Sequence, residues 1–441
     1  MTFQKNNKKI INAWCIYDWA NSVYSLVITS AVFPIYFQNI TSVKDAGGNI
    51  LKDTVSFFGF EIINSVLYSY SLSFSFLLIA LLSPLLSSIA DFSGSKKLFM
   101  RIFCYIGSFS CAALFFFSEN TIEFSMLMFV LASVGFSGSI VFYNAYLPEI
   151  ASEDKFDRIS ARGFALGYTG SVILLIFNLT MILYPGFYGI NSTGLATRIS
   201  FLTVGIWWFG FASYTFHFLP SDIYNKKPQG NYFLNGFKEL GIVLRELKKQ
   251  KLLKTFLLAF FFYNMGVQTV LYLATIFGDK ELGLSSELLI ATILVLQIVA
   301  VVGSYLFSFL SGKIGNIYSL MISICFWILV SVLAYFITTA VEFIIVAGLV
   351  GLTMGGIQAL SRSTYAKIIP GDTTDHASYF SFYDVSEKVS IVIGTFFYGL
   401  INQLTGNMRI SSLVLSVFFI TGLIFLSRIP SKNIYSVKIK S

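Results

Sequence analysis

Apolar residues run along this chain in long blocks, separated by short polar stretches. A bilayer core about 30 Å thick takes roughly 20 helical residues to cross. Twelve blocks reach that length: 13–38, 62–90, 98–117, 122–147, 162–184, 198–219, 255–277, 287–310, 317–337, 342–368, 379–403 and 410–428. The longest polar interval, 221–254, divides them six and six and contains the amphipathic, basic KELGIVLRELKK. The pattern predicts three parts: a six-helix bundle over 1–220, a linker over 221–254 lying on lipid headgroups, and a second six-helix bundle over 255–441.

Within the first span, Asp18, Asn21, Ser22, Ser25 and Thr29 recur at helical spacing and form one polar stripe. The seventh span repeats the design with Asn264, Gln268, Tyr272 and Thr275. A carboxylate at mid-depth in lipid costs at least ~2.5–3.5 kcal/mol, so such stripes face a bundle interior or a wet cavity. One stripe from each half predicts a polar cavity between the halves. A permanent hydrogen bond from Asp18 to a neighbouring helix is the competing reading. Tyr17, Tyr24 and Tyr272 are candidate cavity walls.

Composition agrees with membrane burial. Only 12% of residues are charged, against about a quarter in soluble domains. The net charge of +8 does not indicate nucleic acid, because the basic residues mark one side of the membrane and no nucleic-acid motif accompanies them. With the N-terminus inside, 24 of the 30 Lys and Arg fall in inside segments and 5 outside; Lys388 lies within a span. This places both termini in the cytoplasm, with short loops favouring a bacterial inner membrane. MTFQKNNKKI resembles a signal-peptide n-region, but the following stretch is too long, contains Asp18 and lacks a cleavage site; it reads as an uncleaved first span.

The eleventh span is the most charged. Asp384, Glu387 and Lys388 share one face, and Lys388 lies about 15 Å into the span. Its ammonium is a candidate either for a substrate carboxylate or for a latch with Asp384. Arg362 in span ten and Arg162 opening span five are candidate inner-gate cations, with a headgroup contact equally open for Arg162. Asn144 faces Arg362 if the halves are related by a pseudo-twofold. Gln358 and Gln297 are weaker cavity candidates. Gly163, Gly167, Gly170, Gly351, Gly355 and Gly356 form small faces that allow close helix packing. The four Cys and two His have no metal-like spacing, and no hydrolase or phosphate-cradling motif is present. No cofactor or metal is expected.

Weak internal repeats pair the halves: YDWA with YNMG in spans one and seven, and YNAYLP with YAKIIP at the ends of spans four and ten. The loop SSIADFSGSKK resembles the acid–Gly–basic motif of the major facilitator superfamily through Asp91, Gly94, Lys96 and Lys97, departing from it at Ser87 and Phe92. Its counterpart SGKIGN keeps Lys313 and Gly315 but has Gly312 in place of the acid, which predicts a one-sided loop charge network. YDWANSVYSLVITSAVFPIYF, FYNAYLPEIA with RGFALGYTGS, FFFYNMGVQT and GGIQALSRSTYAKIIP resemble the autophagy-related vacuolar amino-acid effluxer-like branch of that superfamily. The resemblance implies an all-α membrane protein of twelve transmembrane helices in two pseudo-symmetric bundles, working by alternating access; for fungal members it implies amino-acid export from the vacuole.

The expectation is therefore a monomeric secondary transporter in a lipid bilayer, moving a small metabolite, with an amino acid as the best candidate and protons as a candidate coupling ion. In it, Lys388 holds a carboxylate, Asp18, Asn21 and Ser25 an amine or proton, and Asn264 and Gln268 the remaining polar groups, with Asp384 and Glu387 beside them. Asp91, Gly94, Lys96, Asn144, Arg162 and Arg362 are the gate candidates. A non-transporting sensor or scaffold on the same fold is the alternative.

Overall fold

The computed structural model describes residues 4–44, 50–221, 223–224 and 232–430. The rest of the linker and the segment 431–441 lie outside the described residues. Fourteen α-helices follow in chain order: α1 Lys8–Val23, α2 Phe33–Thr41, α3 Asn64–Ser93, α4 Lys96–Ala113, α5 Ile122–Ile150, α6 Phe156–Leu183, α7 Thr193–Phe218, α8 Tyr232–Lys249, α9 Lys251–Leu282, α10 Ser286–Ile314, α11 Asn316–Phe336, α12 Ala340–Ile368, α13 His376–Thr405 and α14 Met408–Ser427. Eleven helical segments are long and apolar enough to cross a membrane, α1 and α2 counting as one. The 30-residue α13 is the twelfth; Asp384, Glu387 and Lys388 keep it from qualifying on apolarity alone.

The first span is not one regular helix. Between α1 and α2 the turns widen into a π-helix over Tyr24–Val32. Pro34 follows in the first turn of α2, and its missing N–H leaves a carbonyl in the preceding turn without its usual donor. The loosened turns find other donors: the Ser30 hydroxyl reaches the Ser25 carbonyl at 2.9 Å, and Tyr68 of α3 donates to the Thr29 carbonyl at 2.7 Å. An i→i+5 turn holds about one residue more than an α-turn, so the predicted stripe loses its phase beyond Tyr24. Ser25 donates to the Ser22 carbonyl at 3.0 Å, and Thr29 is buried.

Between α2 and α3 the chain forms two small antiparallel hairpins, Val43–Lys44 with Ile50–Lys52 and Thr54–Phe57 with Phe60–Ile63. The second turns at Phe58–Gly59, both at positive φ. α3 stops at Gly94, whose left-handed backbone (φ 67°) sends its N–H back to the Ala90 carbonyl.

Two groups of six spans meet along one seam. α6 packs on α10 and α12, and α13 packs on α3 and α5. The two sets are equivalent by position: the fifth span of one half meets the second and fourth spans of the other. α8 docks one face on α3, where Val243 is buried and a side chain at Gly236 would strike Ile89, and leaves Leu234, Phe237 and Ile242 exposed on another. The Tyr379 hydroxyl of α13 donates to Glu246 of α8 at 3.0 Å.

Close backbone packing explains the glycine faces. A Cβ on Gly355 would strike the Ala300 carbonyl of α10, and one on Gly351 the Leu296 carbonyl. Overpacking such a contact costs typically about 1–3 kcal/mol. Gly355→Leu is expected to lower the melting temperature of the detergent-purified protein measurably, whereas Gly348→Leu, where nothing lies within 4 Å, should leave it within error.

Candidate functional site

The seam carries two polar clusters. The first is built around Arg362 on α12. Asp18 sits ten residues into α1, and its Oδ2 lies 3.2 Å from Arg362 Nη1. Tyr143 of α5 donates its hydroxyl to the same oxygen at 2.7 Å. Arg362 Nε donates to the Ser160 hydroxyl at 2.9 Å, Nη2 to the Ser160 carbonyl at 2.9 Å, and Nη1 lies 3.4 Å from Asn144 Oδ1. The guanidinium carbon also sits 4.1 Å from the Phe164 ring centre, 4.8 Å from Trp14 and 5.4 Å from Tyr143. Every one of these partners belongs to the first half, while Arg362 belongs to the second. Gly163 leaves the space: a Cβ there would fall within 3.1 Å of Asp18, Arg362 and Tyr143.

The second cluster belongs to α13 and α9. Lys388 Nζ lies 3.4 Å from Asp384 and 3.5 Å from Glu387. It is twelve residues into α13, about 18 Å along the axis. Gln268 Nε2 is 3.5 Å from Glu387 and 3.3 Å from Asn264 Oδ1, and Asn264 donates to the Ser390 hydroxyl at 2.7 Å. From the other half, the Phe76 ring lies 5.6 Å from Lys388 Nζ and 6.4 Å from the Tyr272 ring. Two carboxylates against one ammonium leave the cluster one negative charge. Asp384 Oδ1 meets only the Lys388 ammonium, and Asp384 Oδ2 is buried without a partner, as is Asn21 Nδ2 on α1. Buried polar atoms are normally satisfied, so these are open positions for a donor and an acceptor.

Cross-seam polar contacts gather at one end, the end carrying the basic loops. Asp91 of α3 accepts from the Ala377 and Ser378 amides of α13, at 3.3 and 2.7 Å, and from the Ser378 hydroxyl. Lys96 sits 3.5 Å from Asp91 and makes an ion pair with Glu149. Across the pseudo-twofold, Asp157 of α6 accepts from Lys367 at 2.6 Å, from Asn316 at 2.7 Å and from Ser311 at 3.0 Å. Tyr168 donates to Gln358 at 2.6 Å. No such bond joins the halves at the opposite end among the described residues, so the seam is shut at the basic end.

Several expectations need correction. Arg162 does not reach the seam: it is exposed and donates to Asn12 of its own half at 2.7 Å. At about 100° per residue, it points some 200° away from Ser160, which faces Arg362. Tyr17 and Tyr24 are not cavity walls. They pack in the first half's core, Tyr17 against Phe216 and Tyr24 against Phe136 and Trp208. Tyr24 follows Asp18 by six residues and so lies on the far face of the helix. The charge network is not one-sided either. Lys313 lies over Phe309, but Asp157, Lys367 and Asn316 supply the second side. Asp157, Lys367, Ser160, Tyr143 and Glu149 were missed because the charges among them sit near span ends, where charge is ordinary; Tyr143 and Ser160 carried no signal beyond polarity.

Among the described residues, no group of His, Cys, Asp and Glu could hold a metal ion. A groove of about 800 Å³ runs from Ile314, at the end of α10, along α11 to Leu329; it is apolar, with Tyr318 and Leu329 exposed, and its lining shares no residue with either polar cluster.

Comparison with known proteins adds a family, two relatives and two solved structures. The family model described as "Vacuole effluxer Atg22 like" matches residues 6–434. The uncharacterized MFS-type transporter YxiO of Bacillus subtilis (strain 168) is 34% identical over 424 residues, covering 96% of this chain and 95% of the relative. Autophagy-related protein 22 of Saccharomyces cerevisiae (strain ATCC 204508 / S288c) is 23% identical, covering 98% and 93%. Among solved structures, the human organic anion transporter MFSD10 superposes with a TM-score of 0.72 at 11% identity, covering 96% of this chain and all of that one. The MFS transporter FucP in its outward conformation gives 0.69 at 13%, covering 96% and 98%.

Truncating one partner of a buried ion pair strands the other and costs about 3–5 kcal/mol, whereas replacing both with apolar groups is far milder. Asp18→Asn and Arg362→Met are each expected to lower thermal stability, and the double variant to recover much of the loss. Simple additivity in that cycle would mean that the pair is not coupled.

Proposed function

This chain belongs to the Atg22-like vacuole-effluxer family of the major facilitator superfamily and is an MFS-type membrane transporter, and we propose that it carries a small zwitterionic metabolite, an amino acid first among them, by alternating access. The observation that carries this reading is the position of the Asp384–Glu387–Lys388 cluster. It lies deeper than the Asp157–Lys367 and Asp91–Ser378 bonds of the basic end, carries an excess negative charge, and keeps an acceptor oxygen, Asp384 Oδ2, without a partner.

In this reading Lys388 takes a substrate carboxylate and gives up one of its own two acidic neighbours. The released carboxylate then meets the substrate's amine. Asn264 and Gln268, already bonded to that cluster, orient the remaining polar groups. Asn21 of the first half carries a further amide N–H without a partner. Exchange of one ion partner for another keeps the buried charge compensated throughout, which is the condition for a reversible site in a low-dielectric setting.

The reading puts the basic end and both termini in the cytoplasm, in a bacterial plasma membrane, from the Lys and Arg asymmetry. The state described here then faces outward. Opening inward requires the Asp18–Arg362 and Asp157–Lys367 pairs to part. Asp18, left without its guanidinium, is the candidate proton carrier.

Uptake of labelled amino acids into proteoliposomes, with and without a pH gradient, tests the proposal. Flux that saturates is expected, and Lys388→Ala should raise KM for carboxylate substrates by at least about tenfold, equivalent to one lost charge-assisted contact. Asp18→Asn should abolish the response to the pH gradient while leaving counterflow. Unchanged KM in Lys388→Ala would remove the carboxylate role, and unchanged gradient response in Asp18→Asn would remove the proton role.

A further inference from the structure

We infer that the pocket filled by Arg362 is an organic-cation subsite, in which a substrate ammonium or guanidinium replaces Arg362 when the basic end opens; this rests on the alternating-access reading above. Arg362 enters that pocket as a tethered ligand. Trp14, Tyr143 and Phe164 give three ring faces with centres 4.1–5.4 Å from its guanidinium carbon. Asp18 supplies the counter-charge and Asn144 a further acceptor. A cation within about 6 Å of a ring centre is attracted by the ring quadrupole, and several rings around one site form a cage selective for diffuse organic cations.

The walls hold together without Arg362. Trp14 stacks on Tyr143 with centres 4.4 Å apart and planes 13° apart. Trp14 Nε1 donates to the Tyr143 carbonyl at 2.8 Å, and the Tyr143 hydroxyl donates to Asp18 at 2.7 Å. These contacts lie within the first half, so they survive when α12 withdraws. What withdraws is the cation alone. The cage then presents three π-faces and a buried carboxylate with no counter-charge, a combination that must take up either a proton or a cation. Lys388 differs: its carboxylates stand on its own helix and move with it.

The test is chemical rescue in the full-length chain carrying Arg362→Ala, purified in detergent at fixed pH and ionic strength. Methylguanidinium and tetramethylammonium are expected to raise the melting temperature saturably, by about 3 °C at saturation. Their apparent affinities should exceed that of K⁺ by at least about tenfold, and adding Phe164→Leu should reduce the effect. A response no different from that of KCl, or one produced only by lowering the pH, would overturn the cation site; the second result would assign Asp18 to a proton instead.

A second measurement keeps the cage intact. In a Cys325→Ser background, Ser311→Cys reports opening of the basic end through labelling by a membrane-impermeant maleimide. Methylguanidinium should speed that labelling about tenfold by stabilising the state that Arg362 has left. Labelling stimulated by a transported substrate but not by organic cations would contradict the cage and leave alternating access standing. A cysteine that no ligand or condition exposes would contradict alternating access itself.

Discussion

A guanidinium cannot lie bare inside a membrane protein, and Arg362 finds all its partners in the opposite half of the molecule. This one constraint ties the two bundles together. The side chain is 3% exposed, so water does little to solvate it. Its carboxylate, its hydroxyl, its carbonyl and its three rings come from α1, α5 and α6. Gly163 is small because the ion pair occupies the place of a side chain. Closure of the basic end is thus defined by a bond set that no motion within one half can satisfy.

In the proposed alternating-access cycle, the arrangement of charges makes this closure reversible. Asp18 with Arg362, and Asp157 with Lys367, are matched pairs that carry no net charge between them. In the proposed cycle Asp157 and Lys367, near the helix ends, return to water when the end opens, while Asp18 takes a proton or a cation in place of Arg362. Hydrogen bonds from the start of α13 to Asp91, and from Tyr379 to Glu246 of α8, extend the same end outward to the linker. The central cluster differs in kind. It holds its own ammonium, has a carboxylate to spare, and meets the other half through the Phe76 ring. The two clusters therefore differ in electrostatic balance as well as in depth.

Much of the fold was legible because length and apolarity are strong local signals. The span containing Asp384, Glu387 and Lys388 was the weakest by that measure, and those same residues make it the most informative. The π-helix after Tyr24 was not legible, since it arises from Pro34 and from a tertiary bond to Tyr68, neither of which periodicity records. Asp18, Asn144 and Arg362 stood out as polar groups in apolar surroundings, yet the Asp18–Arg362 bond spans 344 residues and no local pattern encodes it. Asp157 and Lys367 escaped notice because a charge near a span end is ordinary; only their facing positions make them a pair. Arg162 stood out for its charge, and two residues of helical rotation turned it away from the seam.

The central claim is that cross-seam ion pairing at the basic end holds one of two interconverting states. It is tested most directly by electron–electron distance measurements between spin labels at Lys155→Cys and Lys313→Cys, two exposed positions beside that end on opposite halves. The labels go into a Cys325→Ser chain reconstituted in lipid. The account predicts a dominant short distance in the native sequence and a second, longer population that grows when Arg362→Met and Lys367→Met remove both cations. A single distance distribution, unchanged by those substitutions and by any transported ligand, would contradict it.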